Sequence, residues 1–359
     1  MKSRYLIFCL ALSALLACGH AAAAEICDLP PRYGLTPAAI AIVRTACNEH
    51  RAWKQPFIDT QGRVASLSIT EAERSPLGYG EQPAWQRVAA YWRESGLLNA
   101  VSDRPGARSC MTSDGSRWGE VDCRAFLIDT PWSAAFVSWV MSRAGVAGFP
   151  SSARHLDYIR AAYRAQDGDP YVYSDPENSK PEPGDLLCLL RGRDDVIGYA
   201  GLTAALSRTG ALGWPSHCDI VIAANVGGDR TLYLIGGNVF NTVMMRKLPL
   251  DRSGRLVLPK PLATGDGSED GVGVALDCSP AREAQCDLNR RDWAALLKLR
   301  PTALLVAPPP QAAPMVTPTA PTAPMPPGFP RIVPPRPGTV PVQQPQPYPI
   351  PPQEPVRQN

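Results

Sequence analysis

Three side chains pose the chemical question in this chain: Ser133, His217 and Asn238. In Pro131-Trp132-Ser133-Ala134-Ala135-Phe136, the serine falls in the first turn of an expected helix. First-turn N–H groups lack intrahelical acceptors and the helix dipole favours negative charge there, so the position suits a nucleophile or an oxyanion. His217 opens a strand-like run, Ser216-His217-Cys218-Asp219-Ile220-Val221, and is one of three histidines beyond residue 24, with His50 and His155. An imidazole serves a hydroxyl as general base because its ordinary pKa lies near neutrality. Asn238 closes Ile235-Gly236-Gly237-Asn238, just past the next strand. Neighbouring antiparallel strands would bring its carboxamide beside the imidazole and fix the tautomer. Asp219, two residues from His217, shares its strand face and is the rival orienting group.

Each residue also has a plainer reading. Ser133 is small enough simply to fill an early helical turn, and Asn238, after two glycines, suits a turn position with positive φ. His155, close to Asp157 and Tyr158, reads as a capped or packed residue rather than a ligand. Trp132 and Trp139, seven apart, are expected in the core. Asp266 to Gly271 loosely matches the start of a calcium loop, but no helix pair flanks it and it reads as a solvated acidic loop. There is no P-loop, dinucleotide fingerprint, HExxH or CxxC motif, so neither a cofactor nor a metal is expected.

The elements that must position these groups follow from period and caps. Thr36 as N-cap and Pro37 at the first turn start a helix reaching about residue 53. Trp85, Val88, Ala89 and Trp92 form one apolar face of a helix over about 83–99. Gly, Asp, Ser and Arg dominate 102–122, expected to be a loop stapled by its cysteines. Thr130-Pro131 starts the helix carrying Ser133, which runs to about Arg143 before Gly145 ends it. Ser151 or Ser152 caps another, reaching about Ala165. Beyond Asp167 the pattern turns to strands over 184–191, 217–224, 231–235 and 242–248. A last helix is expected over 292–299. Helices followed by a strand meander make an α+β fold.

The order of helix-start nucleophile, strand histidine and next-strand polar residue resembles the papain-like peptidoglycan amidases and endopeptidases of the CHAP and NlpC type. The matching pieces are PWSAAFVSWV, PGDLL at Pro183 to Leu187, HCDIVIA and IGGN. More closely, the chain is similar to a bacterial exported family known as domain of unknown function 2272, on the blocks PWSAAF, GDLLC, HCDIV and IGGN over roughly residues 80–250. The resemblance implies papain-like helices packed on a small antiparallel sheet, with Ser133, His217 and Asn238 as the catalytic set. One departure stands out: those hydrolases carry Cys where this chain carries Ser133. A thiol ionises readily, whereas a helix dipole worth about 0.3–1 kcal/mol does not ionise a hydroxyl. Ser133 would need His217 as general base during attack.

Composition sets the frame. Residues 1–24 have Lys2 and Arg4, an apolar run and a small-residue end at Ala22 to Ala24, the layout of a secretory signal. Cleavage after Ala24 gives a periplasmic or secreted protein; the alternative uses Leu15-Leu16-Ala17-Cys18 as a lipobox and gives an outer-membrane lipoprotein through Cys18. Eight cysteines follow, expected to pair in an oxidising compartment as 27 with 47, 110 with 123, 188 with 218, and 278 with 286; buried free thiols are the alternative for Cys188 and Cys218. The tail over 307–359 holds 20 of the 39 prolines within 308–359, so it is expected to be disordered, a spacer or a ligand for a proline-recognising partner. Without the signal and tail, 31 basic and 32 acidic residues remain, which argues against nucleic acid as a partner. The expected organisation is a signal (1–24), an N-terminal helical extension (25–80), a papain-like α+β domain (81–306) and the tail. The expected function is hydrolysis of amide bonds in cell-wall peptides by an exported domain. The alternative is a catalytically inactive module of the same fold that binds wall fragments or a protein.

Overall fold

Thr36 caps the first helix as its sequence requires, its hydroxyl accepting from the N–H of Ala39 at 3.1 Å, with Pro37 at the first position. The computed structural model describes residues 25–78, 82–111, 116–191, 195–208, 212–259 and 279–307. Among them are seven α-helices: α1 (Pro37–Ala52), α2 (Ala84–Glu94), α3 (Ala107–Met111), α4 (Arg117–Asp129), α5 (Ser133–Arg143), α6 (His155–Tyr163) and α7 (Gly198–Leu206). The strands are β1 (Phe57–Ile58), β2 (Val64–Ala65), β3 (Tyr171–Ser174), β4 (Leu186–Leu190), β5 (Ser216–Ala224), β6 (Thr231–Val239), β7 (Thr242–Pro249) and β8 (Asp292–Leu299). They form one sheet in the order β2-β1-β7-β6-β5-β4-β8-β3, antiparallel except for β1 against β7.

The α+β class is therefore seen, with a larger sheet than expected. Residues 292–299 form β8 between β4 and β3, not a helix. Its run Trp293 to Leu297 is wholly buried, and an apolar run covered on both faces shows no period by which strand and helix differ. The stretch 102–122 is not simply a loop. Ser116 caps α4 by accepting from Gly119 N–H at 3.0 Å, and a Cys110–Cys123 disulfide ties α4 to α3. The helix expected from Ser151 or Ser152 begins instead at His155, because Ser152 Oγ is engaged by Arg154 N–H and Asp157.

The core lies between α1, α2, α5 and one face of the sheet. Trp132 is fully buried, stacks on Trp53 with centroids 6.0 Å apart, and donates its indole N–H to Glu71 at 2.6 Å. Trp139 is also buried, as its spacing implies. Disulfides join Cys27 to Cys47 and Cys188 to Cys218; the latter pair face each other across β4 and β5. The three disulfides among the described residues are consistent with an oxidising, extracytoplasmic environment. No helix among the described residues is long and apolar enough to cross a membrane. The expected signal, Cys278, the acidic run at Asp266 and the proline-rich tail lie outside the described residues.

Candidate active site

Ser133 is the first residue of α5, since Thr130 and Pro131 break the chain between α4 and α5. Trp132 provides no side-chain cap, and the first helical bond runs from Phe136 N–H to Trp132 C=O at 2.9 Å. The N–H groups of Ser133, Ala134 and Ala135 thus have no intrahelical acceptor. Gly145, at φ 73°, closes the far end, where any Cβ would strike the carbonyl of Val306.

The hydroxyl of Ser133 lies 2.6 Å from Nε2 of His155. The other ring nitrogen of His155 meets the hydroxyl of Tyr158, one turn along α6. When Ser133 donates to Nε2, Nδ1 carries the proton and the tyrosine oxygen accepts it. Burial holds the His155 pKa well below the ordinary value, helped by His217 and Arg191. The ring is therefore neutral and its Nε2 lone pair is available. Tyr158 is pushed the other way, first by burial and then by Asp219, so its hydroxyl keeps its proton.

His217 belongs to a second chain of contacts. Its Nε2 pairs with Asp219 Oδ1 at 2.6 Å, and Arg246 Nε donates to Asp219 Oδ2 at 3.2 Å. Arg246, from β7, also donates to Leu288 C=O and Asn289 Oδ1, and lies over the ring of Trp293. Burial alone would raise the carboxyl pKa of Asp219, but His217, Arg246 and Arg191 together hold it below the ordinary value. Burial also lowers His217, outweighing the pull of Asp219. A carboxylate thus accepts Nε2–H from a neutral imidazole, leaving Nδ1 of His217 buried with no protein partner. The two imidazoles are neighbours, with ring centroids 5.2 Å apart.

The sequence-derived set is brought into one region with different pairings. Ser133 bonds to His155, and His217 is oriented by Asp219, the rival group. Asn238 makes no hydrogen bond to His217; it is buried at φ 56°, at a register shift between β6 and β7, with its side-chain oxygen unpartnered. Phe240 and Asn241, both at positive φ, then make the hairpin turn. The two glycines before Asn238 have steric reasons. A Cβ on Gly236 would lie 1.9 Å from Asp219 Oδ1 and 3.0 Å from His217 Nε2, and one on Gly237 would lie 2.5 Å from Phe136. Those glycines let β6 run close beside the His217–Asp219 pair of β5 and against Phe136 of α5.

Sequence reasoning missed the contributions of His155, Tyr158 and Arg246. The i, i+3 spacing of His155 and Tyr158 in a first helical turn was the available signal for two of them. Ser133 and His155 line an open cavity of about 690 Å³. Its walls come from the end of α2, the α4–α5 junction, the start of α6 and the segment entering β5. Among the described residues, no group of three His, Cys, Asp or Glu side chains is placed to hold a metal ion.

A family model described as "Uncharacterized protein conserved in bacteria (DUF2272)" matches residues 80–299, more than half of the chain. The chain belongs to this family. The DUF2272 region contains Ser133, His155, Tyr158, His217, Asp219 and Arg246, and leaves α1 outside it. No curated protein and no solved structure matches the chain.

Proposed function

We propose that this DUF2272 protein is an exported amide hydrolase of cell-wall peptides, with Ser133 as nucleophile on a papain-like arrangement. The reading is carried by the Ser133 Oγ to His155 Nε2 contact of 2.6 Å at an uncapped helix start that opens on a cavity. In the first step the Ser133 proton passes to His155 Nε2 while Oγ bonds to the substrate carbonyl carbon. The negative oxygen that forms is held by first-turn N–H groups of α5. His155 then gives its proton to the leaving amine as the amide bond breaks, and water, deprotonated by the same ring, releases the acyl group. His217, held by Asp219, stands beside His155, with ring centroids 5.2 Å apart and its own Nδ1 buried without a hydrogen-bond partner. The papain-like reading keeps His217 as the direct base and Asn238 as an orienting group, and it requires the Ser133 side chain to turn from His155 toward β5. The disulfides among the described residues support export. The proline-rich tail serves as a spacer or protein ligand.

A second reading, a wall-binding module without catalysis, is favoured by one observation. His155 has a tyrosine hydroxyl rather than a carboxylate on its far nitrogen, so an imidazolium formed there gains no direct counter-charge. Digestion of purified peptidoglycan by the mature protein separates the two. Hydrolysis predicts soluble fragments with new amino termini, and a loss of at least about a hundredfold in Ser133→Ala. A silent wild type with an active Ser133→Cys would establish the binding reading instead.

A further inference from the structure

The helix start that carries Ser133 has no capping side chain to fix it. Trp132 stands at the cap position, with φ −108° and ψ 8°, and gives α5 no side-chain bond, so the placement of the turn falls to its buried ring. That ring stacks on Trp53 at 6.0 Å and on Tyr91 at 5.6 Å between centroids, contacts that let an indole slide in its own plane. The bond from the indole N–H to Glu71 Oε2, at 2.6 Å, is directional and fixes where in that plane the ring sits. Glu71 is buried and is itself held. Its backbone N–H donates to Asn241 C=O at 2.8 Å, in the hairpin that follows Asn238. On either side, Glu73 accepts from Thr70 N–H at 2.8 Å and from the Ser75 hydroxyl at 2.9 Å, and Arg124 of α4 donates to Ala72 C=O at 2.8 Å. Glu71 precedes residue 80, where the family match begins, so this tie comes from the segment between β2 and α2 and not from the matched region.

We infer that Glu71 is a positioning residue for the Ser133 site: by holding the Trp132 indole and the Asn241 carbonyl together, it sets the approach of the Ser133 hydroxyl to His155. Trp132 and Ser133 share a peptide bond, which is planar and stiff, so a shift of the indole is passed directly to the serine. The Ser133 Oγ to His155 Nε2 contact of 2.6 Å is the quantity such a shift changes, because His155 sits on a different helix, α6. Misplacing a reacting group by about 1 Å costs about a hundredfold in rate. Glu71 acts through Trp132 and takes no part in bond making. An acceptor oxygen is what the indole requires, so glutamine can stand in for glutamate there and alanine cannot.

This inference rests on Ser133 and His155 forming the site, and a readout of their contact that needs no turnover keeps the two claims apart. The mature protein is made with histidine carrying an NMR-active nitrogen isotope, so that the ring nitrogens of His50, His155 and His217 are followed. Ser133→Ala assigns the His155 Nε2 signal and shows where it falls when the hydroxyl bond is lost. Glu71→Ala should move that signal most of the way to the Ser133→Ala position, and Glu71→Gln should keep it near wild type. Trp132→Phe removes the donor and keeps a ring; it should displace the signal as Glu71→Ala does, and it carries the test if Glu71→Ala does not fold. Gly145→Ala, whose Cβ strikes Val306 C=O at the far end of α5, controls for lost stability and should melt below wild type with the His155 signal unmoved. The saturating rate of Ser133 labelling by a fluorophosphonate should fall at least about tenfold in Glu71→Ala and stay near wild type in Glu71→Gln. An unmoved His155 signal in the folded variant overturns the inference, and so does an equal displacement by Gly145→Ala. Movement of the signal in a protein whose Ser133 never takes the label leaves the positioning role standing and removes the nucleophile. Labelling of Ser133 in wild type beside an unmoved signal in Glu71→Ala does the reverse.

Discussion

Ser133 Oγ and His155 Nε2 stand 2.6 Å apart, so the serine's hydrogen-bond partner comes from a helix and not from the strand that carries His217. The consequence is a division of labour between two neutral imidazoles. One touches the hydroxyl and the cavity; the other is sealed behind it and locked by Asp219.

His155→Gln should therefore lower peptidoglycan hydrolysis at least as much as His217→Gln. A positioned general base contributes on the order of a hundred to ten thousandfold. Initial rates of amine release, normalised to folded protein by circular dichroism, make the comparison. An active His155→Gln beside a dead His217→Gln would hand the base role to the strand histidine.

Gly236→Ala should damage the site without touching a functional side chain. The added Cβ would lie 1.9 Å from Asp219 Oδ1, in backbone that has no room to move between β5 and β7. Overpacking of this kind costs about 1–3 kcal/mol. Gly213→Ala, where a Cβ meets nothing within 4 Å, is the control and should melt with wild type. Equal melting temperatures for the two variants would contradict the close approach of β6 to the pair.

Asp219→Asn should destabilise the fold more than its single atom suggests, because it leaves the buried Arg246 without its counter-charge. Breaking a buried pair from one side costs about 3–5 kcal/mol. Adding Arg246→Met should recover part of that loss, and a double-mutant cycle in urea measures it. Additive losses would show that the two side chains do not depend on each other.

The stability of the protein should fall as pH drops below 6.5. Burial lowers His50, His155 and His217, with His50 brought to about 4. Between those values the unfolded imidazoles take protons that the folded ones refuse, so acid favours unfolding. His50 alone corresponds to about 3 kcal/mol across that range. Asp185, which burial lifts to about 6, and Asp287, which burial also raises, oppose the trend above pH 3.8 but are two groups against three. Urea midpoints from pH 7 to 4.5 provide the test, and His50→Gln should flatten the curve. A midpoint that rises on acidification would contradict the neutral assignment of these rings.

Much of this architecture was legible in the residues. Thr36-Pro37 and the four strand runs gave α1 and the central sheet because caps and alternation are local. The block IGGN was legible as a place where glycine is required, but not why, since the obstacles are Asp219 and Phe136 from distant elements. The same limit hid the pairing of Ser133. Its partner was chosen by the order of a resembling family, which points to a strand histidine, whereas His155 looked like a packed residue at a helix start. Packed it is, but its Nε2 is turned to the hydroxyl. Residues 292–299 read as a helix and not as β8 because burial on both faces erases the period of the strand.

The account turns on Ser133 being an activated nucleophile, and covalent labelling asks that directly. The mature protein is treated with a fluorophosphonate, and the adduct is mapped by tandem mass spectrometry. The expected result is one modified residue, Ser133, lost in Ser133→Ala and slowed at least about tenfold in His155→Gln. Folded wild-type protein that stays unlabelled, or carries its adduct on another serine, would contradict the central claim.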